Sequence, residues 1–495
     1  QDVHRWDLLP PKGQGWPMDI AGRLNLVNQQ IDLQSSSSVV PLTTRFHAGN
    51  YLSRPRWAVT FTWNRIPIAP VLQLAGDMGA QLPPKLRING FIDGAIGYSN
   101  AAGLQGELVL HNTSVAMPDS APLRFDEVHL LMGKDQLRLP PSPLRTAENE
   151  VALVEANYSM REDTLDVSIS SENMKVGTLR AQAGLHPVPW LEQLSSGRWS
   201  GQLRYHREPG NDVWTGNLQL EDAKVSVPGL AHPLAIDSAR VGIDGHRLAI
   251  DRLSAQAGTI PFTGEYRYEP NTDRPHRLRI RAASVTAGDL EQELMPALHP
   301  ASSLLARALG RDEAPDWLRH RKLEGTVRIG DFELDGVHLE KLQSRMVWDL
   351  GEVDFPAFEA RLRQELPPAS HLNLPGAAVV NGSLFVTLSA RAPVYKLSAK
   401  ARGLNWQGGK VDAEGTLETS GTGARIFTNA RLFDLSLRTE EGIYIGQGAA
   451  QGDGRLSIVL TNGNKQMRMT GTLAALKLDE EPAFSDQRSA KDAER

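Results

Sequence analysis

Apolar and polar residues alternate along most of the chain, and that period of two is the feature that most constrains its fold. Leu165, Val167 and Ile169 are spaced by Asp166 and Ser168, and Leu278, Ile280 and Ala282 by Arg279 and Arg281. Successive side chains of a strand point to opposite faces, so each run reads as a half-buried strand with one apolar and one wet face. The same pattern runs through Leu104, Leu108 and Leu110, Leu218 and Leu220, Val327 and Ile329, Leu456, Ile458 and Leu460, and Met467 and Met469. Asn112 to Ser114, Pro228 with Gly229, Glu269 to Asp273 and Asn462 to Asn464 read as turns between strands. Such short intervals suit hairpins and meanders more than βαβ crossovers. The expectation is a mainly β chain, an elongated, repetitive, twisted antiparallel sheet curled into an open apolar groove, with a few short helices between repeats.

The chain also repeats itself. Residues 91–98 align with 198–205, placing Gly94 on Gly201 and Tyr98 on Tyr205, and Gly106 with Leu108 falls on Gly216 with Leu218. The register continues through Pro122 on Pro233, Asp126 on Asp237 and Gly177 on Gly288, the offset growing from 107 residues at Gly94 to 111 at Gly177. Each copy closes with a short helical piece, 177–194 and 288–309, and residues 290–320, with Leu290, Leu294, Leu298, Leu304, Leu305 and Leu309, form the longest helical candidate, interrupted by Pro296 and Pro300. Such a helix serves best to pack on the sheet or to cap a groove end. Five segments follow: 1–80 as the end of a truncated preceding repeat, 81–190 and 191–322 as β-groove repeats, the second with a helical insertion near 288–320, 323–475 as a C-terminal β region, and 476–495 as a disordered polar tail. Asn64 to Leu72 resembles the end of a unit already under way, which points to further repeats before Gln1.

Composition removes several functions. With 53 Lys and Arg against 58 Asp and Glu, the net charge of -5 offers no excess of cations to neutralise a run of phosphates, so nucleic acid is not an expected partner. Zero cysteines exclude disulfides, thiolate metal sites and a cysteine nucleophile, and suit an oxidising compartment. Hydrophobic residues at 40% and charged residues at 22% suit an ordered chain. No run approaches the ~18 consecutive apolar residues of a spanning helix.

No motif carries chemistry. None of the 13 histidines stands in a His-Glu-x-x-His arrangement, and His186 and His299 recur beside prolines as turn residues, so no metal or other cofactor is expected. Gly446 to Gly452 faintly resembles a dinucleotide loop, but the spacing is wrong, and it reads as a flexible turn between strands. Ser383 and Ser420 lack the nucleophile-elbow context, and Asp479, Glu480 and Glu481 belong to a solvated charge run. Asn112, Asn157 and Asn381 open glycosylation sequons that otherwise read as turns. No catalytic residue is expected, and the chain is not read as an enzyme.

The positive feature is the apolar face. A sheet with one such face buries it against a second sheet, against helices or against a ligand. About three short stretches look helical, too few for roughly thirty strands, which at ~4.8 Å apart would extend on the order of 140 Å. The residues expected to line the face are Leu108, Leu110, Leu165, Val167, Ile169, Leu218, Leu220, Leu278, Ile280, Val327, Ile329, Leu384, Val386, Leu388, Leu456, Ile458, Leu460, Met467 and Met469. A charge at Leu220 or Leu388 is expected to block the groove without unfolding the chain.

From Asn381 onward the chain resembles a known family. Asn381 to Leu388, Ala392 to Tyr395, Gly403 and Leu404, Gly408 and Gly409, Gly415 with Leu417, and Ser420, Gly421 and Gly423 follow the cadence of the C-terminal region of the AsmA-like family. Gly452 to Ile458 and Met469 to Leu473 are similar to its last strands, so roughly 100 residues carry the match. The resemblance implies an envelope protein of a bacterium with two membranes, held in the inner membrane by an N-terminal helix and projecting a β-groove into the periplasm. TamB-like and bridge-like lipid-transfer proteins share this plan, in which phospholipids or other acyl-chain lipids slide along the groove between membranes. Residues 1–495 include no such helix, and attachment to the membrane is expected through a missing N-terminal anchor. The function expected is a periplasmic lipid bridge; the alternative is a non-catalytic scaffold or assembly factor whose strand edge engages an outer-membrane protein.

Overall fold

The computed structural model describes residues 3–8, 16–37, 41–77, 87–116, 122–145, 150–177, 193–298, 321–363, 378–388, 393–406, 409–421, 428–451, 455–463, 465–472 and 475–479. The chain divides into two compact units, residues 1–223 with 240–246, and residues 224–239 with 247–495.

The first unit runs β1 (Val3–Leu8), β2 (Trp16–Asn25), β3 (Gln30–Ser36), β4 (Leu42–Gly49), β5 (Arg56–Pro67), α1 (Ile68–Asp77), β6 (Arg87–Ser99), β7 (Gly103–Ala116), β8 (Leu123–Lys134), β9 (Gln136–Arg145), β10 (Val151–Ser159), β11 (Thr164–Lys175) and β12 (Leu194–Glu208), and takes most of β13 (Asn211–Val225) and the end of β14 (Leu234–Asp244). The second holds β15 (Arg247–Ala257), β16 (Ile260–Tyr268), β17 (His276–Thr286), α2 (Ala287–Leu298), β18 (Lys322–Leu334), β19 (Val337–Asp349), β20 (Glu352–Leu362), β21 (Ala378–Thr387), β22 (Val394–Trp406), β23 (Gly409–Ser420), β24 (Arg431–Thr439), β25 (Gly442–Ala450), β26 (Leu456–Asn462), β27 (Lys465–Thr472) and β28 (Ala475–Asp479). The protein is mainly β, an open meander in which strands pair with their neighbours in sequence, and within neither unit does a described pairing close a barrel.

The repetition is visible in the elements. β6 begins at Arg87 and β12 at Leu194, and each opens a set of six strands, the first followed by helical residues Val176 and Gly177 and the second by α2. The equivalent residues Gly94 and Gly201 have φ of +123° and +132°. A Cβ at either would lie 2.2 Å from the carbonyl oxygen of Glu107 or Asn217 on the next strand, so only glycine lets the backbones approach there.

The structure departs from the sequence reading in five places. One pair, β17 with β18, is parallel, because the long connection through α2 carries the chain back to the starting end of β17. Asn112 is no turn: it lies inside the 14-residue β7 with φ of 48°. Asn157 and Asn381 likewise lie within β10 and β21. Gly446 and Gly448 are not a turn but part of β25, where a Cβ at Gly446 would stand 1.9 Å from the Val459 carbonyl oxygen. β28 includes residues 476–479 of the expected tail and pairs with β27. Residues 480–495, His186, His299 and the helical candidate beyond Leu298 lie outside the described residues.

Bulges keep the apolar face in phase. Register slips fall between Trp63 and Ile66, Ser171 and Met174, Ile250 and Leu253, Glu340 and Gln343, and Leu432 and Leu435. Each slip contains one non-glycine residue of positive φ: Arg65, Asn173, Arg252, Lys341 and Asp434. The extra residue steps out of the ladder, so an apolar residue three positions on returns to the same face. The freed backbone groups find side chains, as when Asn173 N–H donates to Ser200 Oγ at 2.9 Å.

Candidate apolar binding face

Residues directly opposite on neighbouring strands share a face, so following partners from strand to strand traces that face across a unit. In the first unit one row runs Phe61, Ile96, Gly106, Met132, Leu137, Tyr158 and Leu165, from β5 to β11. Beside it lie Trp63, Gly94, Leu108 and Leu130, and then Ile66, Ile92, Leu110 and Val128. In the second unit a row runs Phe355, Leu384, Leu397, Leu417, Leu432, Gly448, Ile458 and Met469, from β20 to β27. Another runs Tyr268, His276, Leu323, Trp348, Val353, Val386 and Tyr395, from β16 to β22.

The opposite face carries cross-strand charges. Lys400 Nζ lies 2.7 Å from Glu414 and Lys396 Nζ 3.0 Å from Glu418, while in the first unit His47 pairs Asp32 at 2.6 Å and His206 pairs Asp166 at 2.6 Å. These exposed pairs contribute little individually, but they keep that face wet. His129 on β8 bonds both Glu107 and Glu127, which raises its pKa above the ordinary histidine value, Glu107 contributing most.

Most of the anticipated lining residues fall on the apolar face in four groups. Leu108 and Leu110 pack with Ile68, Val71 and Leu72 of α1. Leu278, Val327, Leu384, Val386 and Leu388 gather around Leu323, Met346 and Val353, and Ile329 packs with Ile260, Ala282 and Leu290 of α2. Ile458, Leu460, Met467 and Met469 pack with Val411, Leu437 and Tyr444. Leu165, Val167 and Ile169 are half-buried opposite Tyr158, Ala156 and Val154, and Ile280 is half-buried between Gly264 and Val327. Leu218 is buried on β13, and Leu456 is buried between Ala450 and Gly471. Leu220 is only 3% exposed, so a charge there would cost several kcal/mol and threaten the fold. Leu388 is half-buried and remains the position for a charge that spares folding.

The helices cover parts of this face. Ile68, Val71 and Leu72 stand at i, i+3 and i+4, the spacing that presents one helical stripe. α2 is fixed at its start by a reciprocal cap: Asp289 N–H donates to Thr286 Oγ1 at 3.0 Å, and Thr286 Oγ1 donates back to Asp289 at 2.7 Å. Hydrogen bonds from Thr286 and Thr259 hold the Asp289 carboxyl below the usual range. Further along α2, buried Glu293 accepts from His232 N–H at 3.1 Å and lies 3.0 Å from its Nδ1, tying the helix to the loop after β13.

Polar residues that the sequence reading missed interrupt the face at one end. Tyr266 Oη and His276 Nδ1 share a hydrogen bond of 2.8 Å, and the Tyr268 ring centre lies 5.1 Å from that of His276. The Arg321 guanidinium carbon lies 5.5 Å from the Trp348 ring centre, and its Nη2 donates to the Pro228 carbonyl oxygen at 2.9 Å. Burial drives the Tyr266 phenol to a pKa of about 12. Burial first, then the Arg321 charge, lowers His276, leaving the imidazole neutral at physiological pH, and burial lowers Arg321 itself. One signal was available: Arg321 precedes the buried Leu323 by two residues, so alternation puts it on the same face.

Ser383 sits within β21 opposite Ser398, and Ser420 ends β23 opposite Val394. Among the described residues no group of three His, Asp or Glu side chains could hold a metal ion, and no helix is long and apolar enough to cross a membrane. Compared with known proteins, the chain matches no family model, no curated protein and no solved structure.

Proposed function

We propose that this chain is a periplasmic lipid carrier of the AsmA-like kind, part of a protein anchored in the inner membrane that passes phospholipids along its apolar face toward the outer membrane. The observation that supports this reading most is the continuity of the apolar rows. Phe355 to Met469 spans eight strands with Gly448 as its one gap, while the other face holds ion pairs. An acyl chain laid across such rows gains ~0.8 kcal/mol per buried methylene while its headgroup stays in water. Because neighbouring rows offer similar surface, a chain can shift by a strand without crossing a deep well.

The test is lipid transfer between donor and acceptor vesicles with the purified protein. Leu388→Arg, at a half-buried position of the face, is expected to cut the transfer rate at least tenfold while the circular-dichroism spectrum and thermal midpoint stay within error of wild type. Undiminished transfer by a folded Leu388→Arg protein would count against passage along this face. Retained activity in partner binding by a lipid-free protein would favour the scaffold alternative instead.

A further inference from the structure

Three neighbouring hairpin turns of the first unit carry side chains that a turn does not call for. The turns after β2, β4 and β6 lie at one end of the sheet, because Ile31 stands opposite Ala48, Ala48 opposite Trp57, and Ala58 opposite Ser99. Val27 is 91% exposed, Leu52 75% and Leu26 69%, among the most exposed large apolar side chains of the protein. Asparagines already shape these turns. Asn25 Oδ1 accepts from the Asn28 N–H at 3.0 Å, and Asn50 has φ of 52° while its carbonyl oxygen accepts from the Ser53 N–H at 3.0 Å. Asn100 ties the second turn to the third, accepting from the Trp57 N–H at 3.0 Å and donating to the Pro55 carbonyl oxygen at 2.7 Å. Turn geometry therefore explains the asparagines and leaves Leu26, Val27 and Leu52 unexplained. Other turns use glycine of positive φ, as at Gly210, Gly245, Gly336 and Gly463.

Charge and aromatic content point to what these side chains meet. Residues 22–31, 49–58 and 97–106 hold three arginines, Arg23, Arg54 and Arg56, all exposed, and no Asp or Glu, in a chain of net charge -5. Farther along the same end acids return, with Asp135 after β8 and Glu162 and Asp163 after β10. Just behind the turns the rings of Phe46, Trp57 and Tyr98 run side by side, their centres 6.4 and 5.5 Å apart, on the face that Phe61 and Ile96 share. Apolar tips, aromatics behind them and cations beside them suit a bilayer interface, where Trp and Tyr rings favour headgroup depth and arginine favours anionic headgroups. An apolar patch on a protein partner would accept the leucines and valine equally, but it gives no reason for charge of one sign.

We propose that the turns after β2, β4 and β6 dock the protein on an anionic phospholipid bilayer, with Leu26, Val27 and Leu52 entering the interface and Arg23, Arg54 and Arg56 pairing with headgroup phosphates. Strands ~4.8 Å apart put the first and last of these turns ~20 Å apart, a footprint of several lipids. The row from Leu33 through Phe46, Val59 and Tyr98 lies close behind this edge, so docking brings the apolar face to the headgroup layer. The inference goes beyond carriage of lipid, since a chain that carried none would dock by the same turns.

Flotation of the full chain with vesicles of dioleoyl phosphatidylcholine, with and without dioleoyl phosphatidylglycerol, tests the proposal. Wild type is expected to partition about tenfold more strongly onto the anionic vesicles. Arg54→Gln with Arg56→Gln is expected to lose most of that preference and keep its zwitterionic binding, and Val27→Ser with Leu52→Ser to lose about tenfold on both. The chain has no cysteine, so Val27→Cys carries a single nitrobenzoxadiazole label. Its emission is expected to shift to the blue on anionic vesicles, while the same label on Arg124→Cys, exposed at the far end of β8, stays unchanged. Equal binding of wild type to the two kinds of vesicle overturns the proposal. So does undiminished binding of Val27→Ser with Leu52→Ser, or a label at position 27 that stays unshifted while the protein floats. Absence of flotation also overturns it, and dimers that Val27→Ser with Leu52→Ser dissolves would then make a second copy of the chain the occupant. Lipid extracted from the same protein is read separately: docking without extracted lipid supports the proposal and counts against the carrier reading alone.

Discussion

Gly201→Ala isolates the backbone approach that the repeated strands share. Gly201 has φ of +132°, a region where a side chain costs ~1–3 kcal/mol, and a Cβ there would stand 2.2 Å from the Asn217 carbonyl oxygen and 3.1 Å from Leu218 Cα. A methyl cannot occupy that distance, so β12 and β13 must part locally and weaken about one ladder hydrogen bond, ~1 kcal/mol more. The expected loss is therefore ~2–4 kcal/mol. Gly133→Ala is the control, since its added Cβ meets nothing within 4 Å and its φ is not in the left-handed region; alanine there is neutral or stabilises by ~0.5 kcal/mol. Urea denaturation compares the two variants, and amide exchange localises the effect, with lost protection confined to β12 and β13 in Gly201→Ala. Equal stability of the two variants would refute the argument, and so would a loss of protection spread evenly over the first unit.

Three further outcomes are expected. Leu460 is 2% exposed between Gly446 and Met467, so Leu460→Ala should destabilise the second unit by ~2–5 kcal/mol, read from the shift in its urea midpoint. Thr286→Ala should remove the cap of α2 at a cost of ~1 kcal/mol. Because Asp289 titrates below its ordinary value, its contribution is present above that value and is lost as pH falls through the depressed one; stability of Thr286→Ala and wild type should converge in acid. His129 titrates above its ordinary value, so its contribution is full below that value and lost as pH rises through the raised one; Glu107→Gln should lower the His129 midpoint in an NMR titration.

Alternation made the strands legible because each buries a single face, and Leu278 to Ala282 or Leu456 to Leu460 could mean little else. The spacing of Gly94 and Gly201 also carried the repeat, since both serve one backbone approach. Alternation misled where bulges re-phase it: Asn112 resembled a turn residue because a left-handed conformation suits asparagine equally in a loop and in a bulged strand. Gly446 and Gly448 resembled a loop because glycine signals flexibility in sequence, whereas in β25 it makes room for Leu460 and Ile458. The parallel pair β17 and β18 was hidden because partner choice depends on where the intervening chain returns, not on the pattern of either strand. The Tyr266, His276 and Arg321 group was missed because Arg321 stands 45 residues beyond His276 and 55 beyond Tyr266, and only the ladder from β16 to β18 brings them to one end of the sheet.

The central claim, that the apolar rows hold acyl chains, is tested most directly by native mass spectrometry of the purified protein together with extraction of whatever lipid accompanies it. Several phospholipids bound per chain, displaced by Leu388→Arg, are the predicted result. A lipid-free chain that stays folded and takes up no lipid from vesicles would contradict it.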